Sequence, residues 1–138
     1  MQLEQTHRLL LTSDTQSLLE VERLIDEVCA DFHINEDFYG NVLIAVTEAV
    51  NNAIIHGNKL NQSKHIEVIC EPAEKELLFQ ITDQGNGFDF DNIPDPTAPE
   101  NVEKPHGRGI FLMKNLADEV SFYDNGKKVA LRFKISAN

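Results

Sequence analysis

Between Asn35 and Gly57 the sequence reads as one long helix with a polar stripe set into an apolar surround. Glu48, Asn52 and His56 recur every four residues, so at 3.6 residues per turn they share a face, each displaced by about 40° from the last. Ile44, Val46, Ala49, Val50, Ala53 and Ile54 furnish apolar contacts around them. A helix of this kind has to be covered by other apolar elements. An acid, an amide and an imidazole on a buried or half-buried helix are costly to desolvate, so the stripe points to a use beyond packing.

The punctuation around that helix sets the order of elements. Asn35 can cap its start, and Gly57 is the residue type that most easily takes a left-handed step past its end. Upstream, His7 to Leu11 reads as a short strand. A helix capped by Ser13 or Asp14 follows to about Phe32, with Leu18, Leu19, Val21, Leu24, Ile25 and Val28 as its apolar face. Downstream, Lys64 to Glu71 and Glu76 to Asp83 are rich in β-branched and aromatic residues, with a polar connection at residues 72–75.

From Phe88 to Pro105 the periodicity is lost, and Pro94, Pro96, Pro99 and Pro105 argue against a regular helix or a central strand. Loops that long are uncommon in compact domains unless they are lids, binding loops or disordered linkers. Gly107-Arg108-Gly109 then leads into a helix to about Asp118, packed through Ile110, Phe111, Met113, Leu116 and Ala117. A hairpin, Glu119 to Tyr123 and Lys128 to Ile135, closes around Asn125-Gly126. Helices and strands mixed in this way predict an α+β fold, a two-layer sandwich with one mixed or antiparallel sheet covered by helices on one face.

At 138 residues the chain is most economically one domain, long enough to bury roughly two-thirds of its unfolded surface. No apolar run approaches the ~20 residues of a membrane span, and Met1 to Gln5 lack the basic start and apolar core of a signal peptide, so a cytoplasmic protein is expected. Cys29 and Cys70 have no CxxC or Cys/His neighbours. That excludes a zinc pattern and a disulfide framework, and both read as small buried apolar residues. The formal charge of −11 argues against general nucleic-acid binding. It suits a basic protein partner or a plain solvated surface equally.

Two further signals carry chemistry. Asp83-Gln84-Gly85-Asn86-Gly87 comes at the end of a predicted strand, where two glycines allow close approach to a ligand. An ionised Asp83 facing a pocket there could accept a hydrogen bond from an exocyclic amine such as that of adenine. Gly107-Arg108-Gly109 opens a helix whose free N–H groups can receive phosphate oxygens, with Lys104, His106 and Arg108 adding positive charge. Each has a plainer reading as a turn, a helix start or a solvated side chain, and His56 beside Gly57 reads most simply as a helix-end residue. There is no GxxxxGK[ST], which excludes a P-loop, and no GxGxxG after a first strand.

Taken in order, a helix with Glu48-x-x-x-Asn52, a strand ending in Asp83-x-Gly85-x-Gly87, a proline-broken lid at about 88–106 and a Gly107-x-Gly109 helix start resemble the nucleotide-binding boxes of the GHKL, or Bergerat-fold, ATPases. The text from Glu48 to Gly57 looks most like the bacterial anti-sigma factor serine/threonine kinases. That resemblance implies ATP and Mg²⁺ as cofactors. It implies Glu48 as general base, Asn52 as the Mg²⁺ ligand and Asp83 as reader of the adenine amine. Gly85 and Gly87 would shape the base pocket, and Lys104, Gly107, Arg108 and Gly109 would lie over the phosphates. It further implies a sigma factor and a small antagonist protein as partners, homodimers as are common in that family, and no direct contact with nucleic acid or membrane. The lid departs from the pattern: Asp89, Asp91, Asp95, Glu100 and Glu103 make it acidic, and no lid arginine can be matched. A non-catalytic module that senses nucleotide and binds a partner therefore stays open beside the kinase.

Overall fold

A computed structural model describes residues 6–31, 34–86 and 105–135, with the backbone alone at 105–108. The expected lid, with Gly87 and Lys104, lies outside the described residues. The elements run β1 (His7–Thr12), α1 (Leu18–Asp31), α2 (Glu36–Asn52), β2 (His65–Ala73), β3 (Glu76–Thr82), α3 (Pro105–Leu116), β4 (Glu119–Tyr123) and β5 (Lys128–Lys134). The five strands form one sheet in the order β1-β2-β3-β5-β4, and every described pairing is antiparallel. The expectation of a mixed sheet is corrected by the last step. The crossover through α3 would make β4 a parallel neighbour of β3, but β5 inserts between them, opposite Phe79 through Leu131 and opposite Val120 through the same residue.

Strand alternation assigns the two faces. Leu77, Phe79 and Ile81 on β3 and Val129, Leu131 and Phe133 on β5 point to the helices and are buried. Phe79 and Phe133 meet edge to face at 6.1 Å and 84°. Helix α2 lies centrally, against α1, α3, β3 and β5, and buries Val42, Ala45, Val46, Ala49 and Val50. Each fully buried large apolar side chain of this core stabilises the fold by roughly 1.5–3 kcal/mol. By length and composition alone Glu36–Gly57 could cross a membrane, but its apolar stripe is here the centre of the core. The opposite sheet face carries ion pairs, Arg8 with Glu67 and Arg132 with Glu119 at 2.7 Å, which add little at an exposed surface.

The local signals act largely as the sequence predicts. Asn35 Oδ1 accepts from the Asp37 N–H at 2.9 Å, capping α2. Asp14 Oδ1 caps a short 3₁₀ turn, Thr15–Ser17, that runs into α1, while Ser13 is buried and donates instead to the Lys64 carbonyl. Three apolar residues expected to pack are exposed: Leu19 at 60%, Ile44 at 46% and Phe111 at 42%. At 100° per residue each falls well away from the buried stripe of its own helix. Pro72, expected in the connection, is a residue of β2 opposite Leu77, and β1 as described reaches no further along β2 than Cys70.

Both cysteines are buried free thiols, as expected. Burial pushes Cys29 up to about 11 and Cys70 up to about 12, with nearby Asp26 adding to the first. At pH 8 roughly one molecule in a thousand or fewer would carry a thiolate at either site. Native protein should therefore resist an aromatic disulfide reagent, and both thiols should become reactive across the same denaturant range in which the helical circular dichroism is lost. Modification of either at a free-thiol rate in native buffer would contradict this packing.

Candidate functional site

The end of α2 departs from a simple stop. After Asn52 the chain makes a π-turn, Ala53–Gly57, and the Asn58 N–H bonds the Ala53 carbonyl at 2.8 Å. The extra residue per turn moves the left-handed step downstream to Lys59 (φ 53°) and Leu60 (φ 59°), and Leu60 N–H reaches back to Ile54 O at 2.8 Å. Gly57 is thus not the left-handed cap that its position suggested. Its reason is space: a Cβ there would lie 2.4 Å from Asp83 Oδ2. Gly85 is tighter still, since its Cβ would lie 1.9 Å from the Gly57 carbonyl oxygen. The end of α2 and the turn after β3 therefore interlock around one carboxylate.

Asp83 is 9% exposed. Its backbone N–H donates to the Lys127 carbonyl at 2.9 Å, and its Oδ1 accepts from the Gly85 N–H at 2.8 Å. Desolvation by burial raises its carboxyl above the ordinary range. The Gly85 hydrogen bond and the charges of Lys127 and Lys64 pull the other way.

Asp83 lines a cavity between α2, β3, α3 and the β4–β5 turn. Ala49, Ala53, Ile81, Ile110, Met113 and Val129 make its apolar wall, and Asn52, His56, Asp83 and Lys127 are its polar side chains. An apolar wall with a few placed polar groups is the make-up of a small-molecule site. Among the described residues Asn52 Nδ2 is buried with no hydrogen-bond partner, an unmet polar group in the cavity wall that a ligand can satisfy.

Helix α3 closes on α2 through Gly109. A Cβ at Gly109 would lie 3.1 Å from both Glu48 Oε2 and Asn52 Nδ2, and 3.2 Å from Asn52 Oδ1. The carboxylate and the amide therefore converge on one point beside the cavity. Among the described residues no cluster of three or more His, Cys, Asp or Glu could hold a metal by itself. One amide oxygen and a neighbouring carboxylate fit the way Mg²⁺ is bound when phosphates and water complete its shell.

Of the expected site residues, the structure brings together Glu48, Asn52, Asp83, Gly85 and Gly109. Gly107 and Arg108 do not precede α3 but lie inside its first turn, because the helix begins at Pro105. Proline at the first position has no N–H, so the free donors of that turn are those of His106 and Gly107. Gly87 and Lys104 lie outside the described residues. His56, which the sequence left as a helix end, lines the cavity, and burial lowers its pKa. Sequence reasoning also missed Lys127 and Asn58. Lys127 sits behind a turn signal that explained itself, and nothing in the local pattern marks Asn58.

Known proteins resemble this chain in sequence and in fold. Residues 11–133 match the family described as histidine kinase-like ATPase domain. The chain is 31% identical over 103 residues to an anti-sigma F factor of Clostridium perfringens, covering 70% of this chain and 72% of that protein. It is 36% identical over 87 residues to the serine-protein kinase RsbW of Staphylococcus aureus, covering 58% of this chain and 55% of that one, so it spans about half the kinase's length. A crystal structure of the RsbU and RsbW domains of a Mycobacterium tuberculosis protein covers 95% of this chain and 32% of its own, with a TM-score of 0.70 and 15% identity.

Two site glycines, Gly85 and Gly109, should separate by what their added methyl group meets. Gly85→Ala drives a Cβ into backbone and should lower stability by about 1–3 kcal/mol, as overpacking does. Gly109→Ala meets only the tips of Glu48 and Asn52, which can give by tenths of an ångström, so its denaturation midpoint should stay close to that of the parent. Urea titration checks the order; equal losses for the two would mean that Gly109 packs against something firmer.

Proposed function

This chain belongs to the histidine kinase-like ATPase domain family, and on that footing we propose that it is an ATP-dependent protein serine/threonine kinase. We further propose that it restrains a sigma factor by binding it and phosphorylates a small antagonist protein. The observation that carries the reading is the meeting of Glu48 and Asn52 under Gly109, beside a cavity that also holds Asp83. The anti-sigma F factor and the serine-protein kinase among its relatives supply the partner class. In this reading the chain is a single ATPase unit acting in the cytoplasm.

When bound with Mg²⁺, ATP supplies a transferable γ-phosphoryl group whose charge the metal offsets. Asp83 accepts a hydrogen bond from the exocyclic amine of adenine, and Gly57 and Gly85 leave the room it needs. The apolar wall from Ala49 to Val129 excludes water from the base. Asn52 would offer its amide oxygen to the metal, and its unmet buried Nδ2 would donate to a phosphate oxygen. Glu48 takes the proton of an incoming serine or threonine hydroxyl, a job for which its reach past Gly109 supports it. The free N–H groups in the first turn of α3 stand at the positive end of that helix and suit phosphate oxygens. By resemblance, Gly87, Lys104 and Arg108 complete the cover over the nucleotide.

Incubation with labelled ATP, Mg²⁺ and a candidate antagonist protein should label a serine or threonine. Glu48→Gln should keep ATP affinity and lose transfer by about 10²-fold or more, whereas Asn52→Ala should weaken Mg-ATP binding itself. ATP binding by the parent without transfer to any antagonist would leave a nucleotide-sensing module in place of a kinase.

A pH dependence follows from Asp83. Its carboxyl is raised in the fold, so its neutral form favours folding: that contribution is full below the unfolded pKa and is lost as pH rises through the folded one. Reading adenine uses the ionised form. ATP affinity should therefore fall on acidification at a pH above the ordinary carboxylate range, and calorimetric titrations of parent and Asp83→Asn should show the fall only in the parent. A pH-independent parent would refute the role.

A further inference from the structure

The base end of the cavity is carried by the turn Asp83-Gln84-Gly85, and the side chain that holds this turn stands behind it. Asn58, the residue after the π-turn, is 1% exposed, and each polar atom of its side chain is engaged. Its amide nitrogen donates to Ser13 Oγ at 2.7 Å and to the His65 carbonyl at 3.0 Å. Its amide oxygen accepts from the Gln84 backbone N–H at 2.8 Å. Ser13 Oγ in turn donates to the Lys64 carbonyl at 2.7 Å, and Gln84 Oε1 accepts from the His65 N–H at 2.6 Å.

These bonds assign the amide its orientation, because a flipped group would set its NH₂ against the Gln84 N–H and its oxygen against the His65 carbonyl. Three separate pieces of chain meet on one residue: the segment after β1, the start of β2 and the residue between Asp83 and Gly85. Among the described residues the other ties on the turn are the Gln84 side chain to the His65 N–H, the Asp83 N–H to Lys127 O, 2.9 Å, and the internal bond from Gly85 to Asp83. Asn58 is placed inward because the π-turn advances the chain by one residue. The same irregular turn that presses Gly57 on Asp83 thereby sets the amide that fixes the next residue along.

We infer that Asn58 is the positioning residue of the base-reading turn, holding Gln84 so that the Asp83 carboxylate stands where it distinguishes adenine from a base without the exocyclic amine. This rests on the nucleotide site proposed above. It assigns Asn58 a role in specificity, acting through Asp83, that global stability alone does not require.

The probes are ATP and inosine triphosphate, whose ring carries a carbonyl oxygen where adenine carries the amine. The parent, Asn58→Ala and Ser13→Ala are titrated with each nucleotide in Mg²⁺ by calorimetry, alongside thermal melts. The parent should prefer ATP. In Asn58→Ala the ATP-over-inosine-triphosphate ratio should drop by about tenfold or more, the scale of one hydrogen bond to a charged group, through weaker ATP binding with the inosine nucleotide little changed. Ser13→Ala, which removes one partner of the Asn58 amide, should move the ratio the same way by less, and it decides the matter if Asn58→Ala does not fold. A melting temperature that falls while both ratios stay at the parent value overturns the inference and leaves Asn58 a folding residue. A parent that does not separate the two nucleotides overturns the adenine reading of Asp83 itself, and this inference with it.

Discussion

The structure around the cavity depends on a single close approach, the Asp83 carboxylate lodged where side chains on Gly57 and Gly85 would otherwise stand. The clearance is 2.4 Å from a Cβ on Gly57, and 1.9 Å separates a Cβ on Gly85 from the Gly57 carbonyl. A side chain at Gly85 would have to move backbone, and one at Gly57 would have to displace the Asp83 carboxylate. Burying a carboxylate this way is unfavourable, which is why its pKa rises. The Gly85 N–H and the charges of Lys127 and Lys64 offset part of that cost. The result is an acceptor held in a low-dielectric wall, where a hydrogen bond to a ligand counts for more than it would in water.

That approach links two ends of one site through a rigid element. Helix α2 carries Glu48 and Asn52, and its π-turn carries Gly57 and leads to Asn58, so the residues proposed for the phosphates and for the base share one continuous piece of backbone. The helix is clamped from below by β3 and β5 and from its sides by α1 and α3. Gly109 lets α3 come close enough to touch Glu48 and Asn52. A methyl group would occupy the space on which the two side chains converge. Preorganisation of this kind, fixed by packing before any ligand arrives, is the main contribution a protein makes to phosphoryl transfer.

Much of this was legible in the chain because periodicity and punctuation are local. Asn35 as a cap, the Asn125-Gly126 turn, the strand ends and the existence of each helix follow from residue type and spacing, and the order of Glu48, Asn52, Asp83 and the glycines was enough to point to a family. The misreadings have a common source. Leu19, Ile44 and Phe111 are apolar and lie in helices, but which side of a helix meets the sheet is a matter of docking, and theirs does not. Gly57 was correctly marked as a residue that had to be glycine, and for the wrong reason, since a left-handed cap and a close contact leave the same letter in the sequence. Lys127 and Asn58 went unseen because the partners that tie them to the site, Asp83 and Gln84, and Ser13 behind it, are 26 residues or more away in the chain.

By itself the sequence determined the elements, their order, the buried faces of the strands and the residue types able to bind a nucleotide, because these depend on propensity and on spacing within about one turn or one strand. Tertiary structure alone decided that β5 enters between β3 and β4 and that the helix ends in a π-turn. It also decided that Asp83 sits against Gly57 and that Asn58 is satisfied by three separate segments. Those outcomes depend on which surfaces come within hydrogen-bond and van der Waals distance after the chain closes, and no local pattern encodes a clearance of a few ångströms between residues far apart in sequence.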